Sequence, residues 1–339
     1  MSDDDLQPLS PQEGASQWLD IRKPGVAEST YQNNKTTLEQ FVAWCGQNEI
    51  ENLNVLTGRH MAQFVAWRRS QPDVSDITVQ KQLGAIRMFL EWAADVEAVE
   101  PGLRERVHAP KVVDGAEARD VKVEASRAEA ILEYLNRFQY GSRDHAIIAL
   151  LWRTGLRLGA VRTIDVDDLR PDDDAIDIHH RPETETPLKN QQSGERWVWL
   201  GPIYYQIIED YVENNRIDAQ DDYGREPLFT SKQGRLSESA VRDCCYRMTQ
   251  PCMMAGCPHD REPETCEAVG VPNTPSKCPS AKSPHAFRRG AITSHLNEGV
   301  PADVVSERMD VSLEVLYRHY DARRPDEKME QRRKYLNDK

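Results

Sequence analysis

The sequence predicts a mainly α-helical chain with a small β-hairpin or sheet, divided into an N-terminal four-helix module and a mixed α+β second domain. Three patterns carry that prediction. Over the first hundred residues apolar side chains recur at helical spacing. Between residues 101 and 123 the period is lost among Pro101, Pro110 and mixed charge, which marks a linker. After Asp165 two short stretches of strand character flank a polar loop. At 339 residues the chain is long enough for two separate cores.

Taken in order, the first module spans 8–100. A helix is expected near Ser16 to Arg22. Leu38, Phe41, Val42 and Cys45 repeat at i, i+3, i+4 and i+7, and Val79, Leu83, Ile86 and Leu90 repeat at i, i+4, i+7 and i+11, so each set marks one helix face. A third helix centres on Met61, Phe64 and Val65, and Thr57 and Ser75 have the chemistry of N-caps for the last two. Lys35, Arg59, Arg68, Arg69, Lys81 and Arg87 lie on or beside these helices.

The second domain is placed at 124–324. SRAEAILEYLNRF and DHAIIALLWRTG read as helices, Ala175 to His179 and Arg196 to Leu200 as strands, and Asp172 to Asp174 as the turn before them. Helices resume at Ile203 to Asn214, Glu238 to Met248, His285 to Glu298 and Ala302 to Met309, with a cysteine-rich insertion at 244–280 and a basic tail at 325–339.

The net charge of −13 argues against nucleic acid at first sight, because DNA affinity comes largely from Lys and Arg on phosphates. The basic set, however, is 31 Arg against 12 Lys, an acidic, lysine-poor balance that adaptation to high salt produces, and local arginine clusters remain compatible with it. No apolar run approaches the roughly 20 residues of a membrane span, and MSDDDLQPLS has no secretory pattern, so a soluble, cytoplasmic protein is expected. Seven cysteines, six of them between Cys244 and Cys278, make a poor disulfide framework. Cys252, Cys257, Cys266 and Cys278 could instead close a tetrahedral structural zinc site, with His259 as a substitute ligand. Free, partly buried thiols are the equal alternative.

Three segments bear chemistry. In Thr154-Gly155-Leu156-Arg157, a glycine turn would present a forked guanidinium at a helix start, a geometry suited to phosphate. In His285-Ala286-Phe287-Arg288, spacing i, i+3 after Pro284 puts a proton-transfer group and a phosphate-binding group on one face. The third, from Met309 to Asp321, holds Tyr317 and Tyr320.

In this order and spacing the chain resembles the tyrosine recombinases of the phage-integrase and Xer type. Their catalytic domain carries Thr-Gly-Leu-Arg, a hairpin Lys, His-x-x-Arg, Leu-Gly-His/Trp and a Tyr nine residues further on. The resemblance runs over nearly the whole chain, and it makes the first module a core-binding DNA domain. It implies Arg157, His285 and Arg288 as catalytic residues, Lys189 in the strand loop as the lysine, with Lys232 and Lys282 as competitors, and Tyr320 rather than Tyr317 as nucleophile. The implied activity is cleavage and rejoining of double-stranded DNA through a 3′-phosphotyrosine, by four copies on two duplexes, with no metal or nucleotide needed for catalysis and with a tail that docks on a neighbour. Two departures stand out: Val311 replaces His or Trp, with His319 as a candidate substitute, and Gly159-Ala160 replaces Ser-Glu. These departures leave room for a catalytically impaired DNA-binding regulator. A type IB topoisomerase-like activity would use the same tyrosine chemistry, and a zinc-stapled scaffold for protein partners would use none of it. The insertion also resembles that of integrases from salt-loving archaea.

Overall fold

In the computed structural model the described residues are 6–72, 74–112, 121–269, 274–320 and 325–334. The chain forms two compact units, Met1–Glu117 and Ala118–Lys339. Among the described residues no helix is long and apolar enough to cross a membrane.

The first unit is built on α1 (Pro11–Arg22), α2 (Glu28–Gln47), α3 (Gly58–Arg69) and α4 (Asp76–Asp95). Helix α1 begins earlier than apolar periodicity suggests. Ser10 accepts from the Glu13 N–H while the Glu13 side chain reaches back to Ser10, and Pro11 supplies the preset φ of a first helical residue. Thr57 and Ser75 do cap α3 and α4. The helices meet in an aromatic cluster with one or two rings from each: Trp18 lies edge-on to Phe89 at 6.0 Å, Phe41 to Phe64 at 5.2 Å, and Trp44 to Phe64 at 5.4 Å. Such pairs add about 0.5–1.5 kcal/mol each beyond area burial. Of the basic residues, Arg68 is buried against Gln82 and Arg87 donates to the Val107 carbonyl, so both hold this unit together. Lys81 and Arg59 are exposed.

The second unit centres on α6 (Arg143–Thr154), whose residues from His145 to Trp152 are all buried. Around it pack α5 (Ala125–Phe138), α8 (Pro202–Asn214), α9 (Glu238–Met248) and α10 (Pro284–Asn297). Helix α10 passes close to the segment leading into α5. Its Gly290 permits this, since a Cβ there would stand 2.1 Å from the Val123 carbonyl oxygen and 2.9 Å from Trp152. The short α7 (Leu158–Thr163), α11 (Ala302–Arg308) and α12 (Leu313–Val315) flank the turns that shape the site below, a π-helical turn covers Leu316–Tyr320, and α13 (Pro325–Lys334) ends the described chain.

An antiparallel sheet runs β1 (Leu169–Arg170), β2 (Ala175–Ile178) and β3 (Arg196–Trp199), with Ala175 opposite Trp199 and Leu169 opposite Ile176. The sequence reading found β2 and β3 within a residue. It missed β1 and the hairpin of β4 (Thr230–Ser231) and β5 (Gly234–Arg235), because two-residue strands carry no period. Ion pairs tie sheet and hairpin together: Arg235 reaches Asp165 and Asp221 at 2.7 Å each, Arg225 reaches Asp165 at 2.6 Å, and Arg181 reaches Asp168 at 2.6 Å.

Two predictions test the cores. Phe41→Ala removes the ring that touches Trp44, Phe64 and Phe89 and should cost the first unit about 3–5 kcal/mol, read from denaturant melts. His145 is fully buried. Its Nδ1 accepts from the Gly141 N–H, its Nε2 finds no partner, and burial lowers its pKa from 6.5 to about 4. The folded state therefore disfavours the protonated ring. Its contribution is complete above pH about 6.5 and is lost as pH falls toward about 4, up to about 3 kcal/mol. The melting temperature of the second unit should drop across that window, and His145→Leu should flatten the drop.

Candidate active site

Helix α6 ends because Gly155 adopts a left-handed conformation, φ 59°, and its N–H closes on the Leu151 carbonyl. A Cβ at this position would press on Met309 Sδ at 2.7 Å, so the turn between α6 and α7 rests directly against the turn after α11. Arg157 is the extended residue that precedes α7, and its guanidinium is about a quarter exposed.

Arg288 comes from α10 and is 1% exposed. Its Nη1 donates to the Gly155 and Met309 carbonyl oxygens, both at 2.7 Å, and its Nη2 to that of Asp310 at 3.4 Å. One guanidinium thus binds the backbone of both turns. The arginines placed together on sequence grounds do converge, Arg157 at the opening and Arg288 beneath it.

Asp310 links them. Its backbone is left-handed at φ 51°, a conformation uncommon for a residue with a Cβ, and its carboxylate forms a close ion pair with Arg157 and accepts from Asn190 Nδ2 at 2.7 Å. Asn190 lies in the connection from β2 to β3, next to Lys189, which is exposed. The loop is fixed by the buried Leu188, whose N–H donates to His180 Nδ1 at 2.9 Å. Lys189 is therefore next in sequence to Asn190, whose side chain reaches the carboxylate that Arg157 pairs with. The competitor Lys232 sits in the β4–β5 turn, and Lys282 lies three residues before His285.

His285 opens to solvent at the start of α10. Burial of part of its ring lowers its pKa below 6.5, and the charges of Arg288, Arg289 and Arg157 lower it further. They leave a neutral imidazole at neutral pH, able to take up a proton.

Sequence reasoning missed Arg196 on β3. Its Nε donates to the Arg308 carbonyl at 2.8 Å and its Nη1 to that of Gly194 at 2.6 Å. Burial lowers its pKa, and the charges of Asp310 and Arg157 act on it in opposite directions. Arg308, with its pKa lowered to about 10 by burial and then by Arg153 and Arg196, adds to the same positive field. Asp310 itself was overlooked as an acidic group because it stands at a turn position. A charged residue where the chain must turn left-handed was the available signal.

Val311 is 4% exposed and belongs to the core, so no polar side chain is offered from that position. Tyr317 is 53% exposed on the π-helical turn. The side chains of Tyr320 and His319 lie outside the described residues; the backbone of both belongs to that turn. Beyond α9, Cys252, Cys257, His259, Cys266 and Cys278 line one pocket. As placed, however, no three His, Cys, Asp or Glu side chains among the described residues form a ready metal cage.

A family model described as "Phage integrase family" matches residues 122–324, and one described as "Phage integrase, N-terminal SAM-like domain" matches 18–96. The chain is 23% identical over 308 residues to a probable integrase/recombinase protein of Methanocaldococcus jannaschii, covering 88% of this chain and 83% of that protein. It is 23% identical over 220 residues to tyrosine recombinase XerC of Pseudomonas syringae pv. tomato, covering 64% and 68%. Among solved structures, the Tn1549 transposon integrase in complex with a circular intermediate DNA superposes with TM-score 0.68 at 15% identity, over 96% of this chain and 99% of that one. A lambda integrase dimer bound to a COC' core site superposes with TM-score 0.65 at 11% identity, over 95% and 80%. These two share the fold.

The Arg157–Asp310 contact yields a prediction about anion binding. Asp310→Asn keeps the turn chemistry, removes the negative charge and should tighten binding of inorganic phosphate or short duplex DNA by about 2- to 5-fold, the range of a partly exposed ion pair. Fluorescence anisotropy at fixed salt checks it; unchanged or weaker binding would show that the carboxylate does not compete for the guanidinium.

Proposed function

Because the chain belongs to the phage integrase family, we propose that it is a site-specific DNA recombinase that cleaves and rejoins DNA through a 3′-phosphotyrosine intermediate. The observation that supports the site most directly is the convergence of Arg157 and Arg288 on the Met309–Asp310 turn, with Arg157 already holding an anionic group. A carboxylate on a forked guanidinium stands in for the non-bridging oxygens of a scissile phosphate.

Each residue then has a task. The Tyr320 phenolic oxygen attacks phosphorus in line, the bond from phosphorus to the 5′-oxygen breaks, and the phosphoryl group stays on the tyrosine, so its bond energy is kept for religation. Arg157 turns from Asp310 to the phosphate and balances the charge that develops on it. Arg288 holds the two turns in register beside it. Lys189 delivers a proton to the leaving 5′-oxygen, and His285, neutral at physiological pH, receives the phenolic proton. With Val311 in the core, one hydrogen bond to the phosphate that the family pattern supplies is missing, and slower chemistry than in relatives with His or Trp follows.

The partner is double-stranded DNA, in line with solved relatives held on a circular intermediate and on a core site. Four copies act on two duplexes, and α13, whose Met329 is half exposed, docks on a neighbouring copy. The lysine-poor, acidic composition suits work at high salt, as in integrases of salt-loving archaea, and the working compartment is the cytoplasm.

A suicide duplex carrying a nick near the cleavage site tests the reading. Wild-type protein should form a covalent adduct, as should Tyr317→Phe. Tyr320→Phe should form none, and Arg157→Ala should slow the reaction by about 100- to 1000-fold. Absence of any adduct with wild-type protein that still binds the duplex would make the chain a DNA-binding regulator instead.

A further inference from the structure

Residues between α9 and α10 form a long connection with no helix or strand beyond single 3₁₀ turns among those described. It adds little to the core: Ala268, Pro275 and Cys278 are its buried apolar side chains among the described residues. At its root, Gln250 is 3% exposed and its Nε2 bridges two arms of the connection, donating to the Ala268 carbonyl at 2.9 Å and to that of Pro275 at 3.3 Å. With the Lys282 N–H on Thr249 Oγ1 at 2.7 Å and an exposed Lys277–Glu267 ion pair at 2.8 Å, these are few constraints on so much irregular backbone, whose ordering costs roughly 1–2 kcal/mol per residue.

The same arms carry four thiols, all facing one pocket. Cys252 lies on the 3₁₀ turn after α9, Cys257 and Cys266 follow on the loop, and Cys278 ends the turn Pro275–Lys277. Arg261 lines the same pocket and supplies positive charge beside it. His259 directs Nε2 to Ser280 Oγ at 2.9 Å.

We infer that this insertion is a structural zinc site with Cys252, Cys257, Cys266 and Cys278 as ligands. Binding replaces four S–H bonds with four Zn–S bonds of about 2.3 Å and releases four protons to solvent. The resulting two negative charges are offset in part by Arg261. The thiols as placed do not form a cage. Metal affinity and ordering of the ligand loop arise together in such sites, so closure of the four thiols would accompany binding. His259, held by Ser280, stays outside the ligand set. Zinc here fixes the connection that leads into Ser283 and α10, and so the approach to His285 and Arg288.

The test uses the full-length protein, purified without chelator, with metal content measured by mass spectrometry and zinc release followed with a chromogenic chelator under a thiol-blocking reagent. The expected result is about one zinc per chain in wild type, in His259→Ala and in Cys45→Ala, whose thiol is buried in the other unit. A Cys257→Ser, Cys266→Ser double variant should hold less than about a tenth of that. Cobalt(II) exchanged into wild type should show thiolate charge-transfer and tetrahedral absorption bands, a readout that does not depend on how well the cysteine variants fold. A folded wild-type chain without stoichiometric metal, full retention in the double variant, or an intact mass that reveals disulfides would each overturn the assignment. None of these outcomes touches the recombinase reading, which the covalent adduct decides.

Discussion

The second unit is organised around the buried guanidinium of Arg288. It comes from α10, lies under the surface, and satisfies carbonyl oxygens from two turns that are more than 150 residues apart in sequence. A buried charge is costly unless hydrogen-bonded, and here the partners are backbone groups that helix ends leave over. The exchange is mutual: the turns neutralise the cost of the arginine, and the arginine fixes the spacing of the turns. Everything at the opening, Arg157 on one turn and Asp310 on the other, takes its position from that arrangement.

Two close approaches of backbone make the arrangement possible. Gly155 lets Met309 pack where a side chain would collide, and Gly290 lets α10 pass the carbonyl of Val123. Positive charge then accumulates at the rim, where Arg157 lies close enough to lower the pKa of Arg196, and Arg196 that of Arg308, beyond the larger effect of burial on each. A chain of net charge −13 can thus hold a local site for a polyanion, which total charge conceals.

Much of this was legible in the sequence. The faces of α2 and α4, the caps Thr57 and Ser75, strands β2 and β3, and the span of α9 follow from periodicity and cap chemistry. Arg157 and Arg288 were legible through their motifs. What escaped has physical reasons. Helix α1 starts at a polar capping box before its apolar face begins. Strands β1, β4 and β5 are too short for a pattern. Asp310 reads as a turn residue because its sequence neighbours do not reveal that a guanidinium 153 positions earlier comes to meet it. The roles of Arg68 and Arg87, basic residues spent on internal contacts, depend on tertiary neighbours in the same way.

In the proposed reaction, Arg157 exchanges Asp310 for a backbone phosphate while Arg288 keeps both turns in place. An experimental structure of the Tyr320→Phe protein on a duplex that contains its cleavage site measures this directly. It should show a non-bridging phosphate oxygen within hydrogen-bond distance of the Arg157 guanidinium, the Asp310 carboxylate withdrawn, and Arg288 still on the carbonyls of Gly155 and Met309. DNA bound with Arg157 still paired to Asp310, and the nearest phosphate held elsewhere, would refute the exchange.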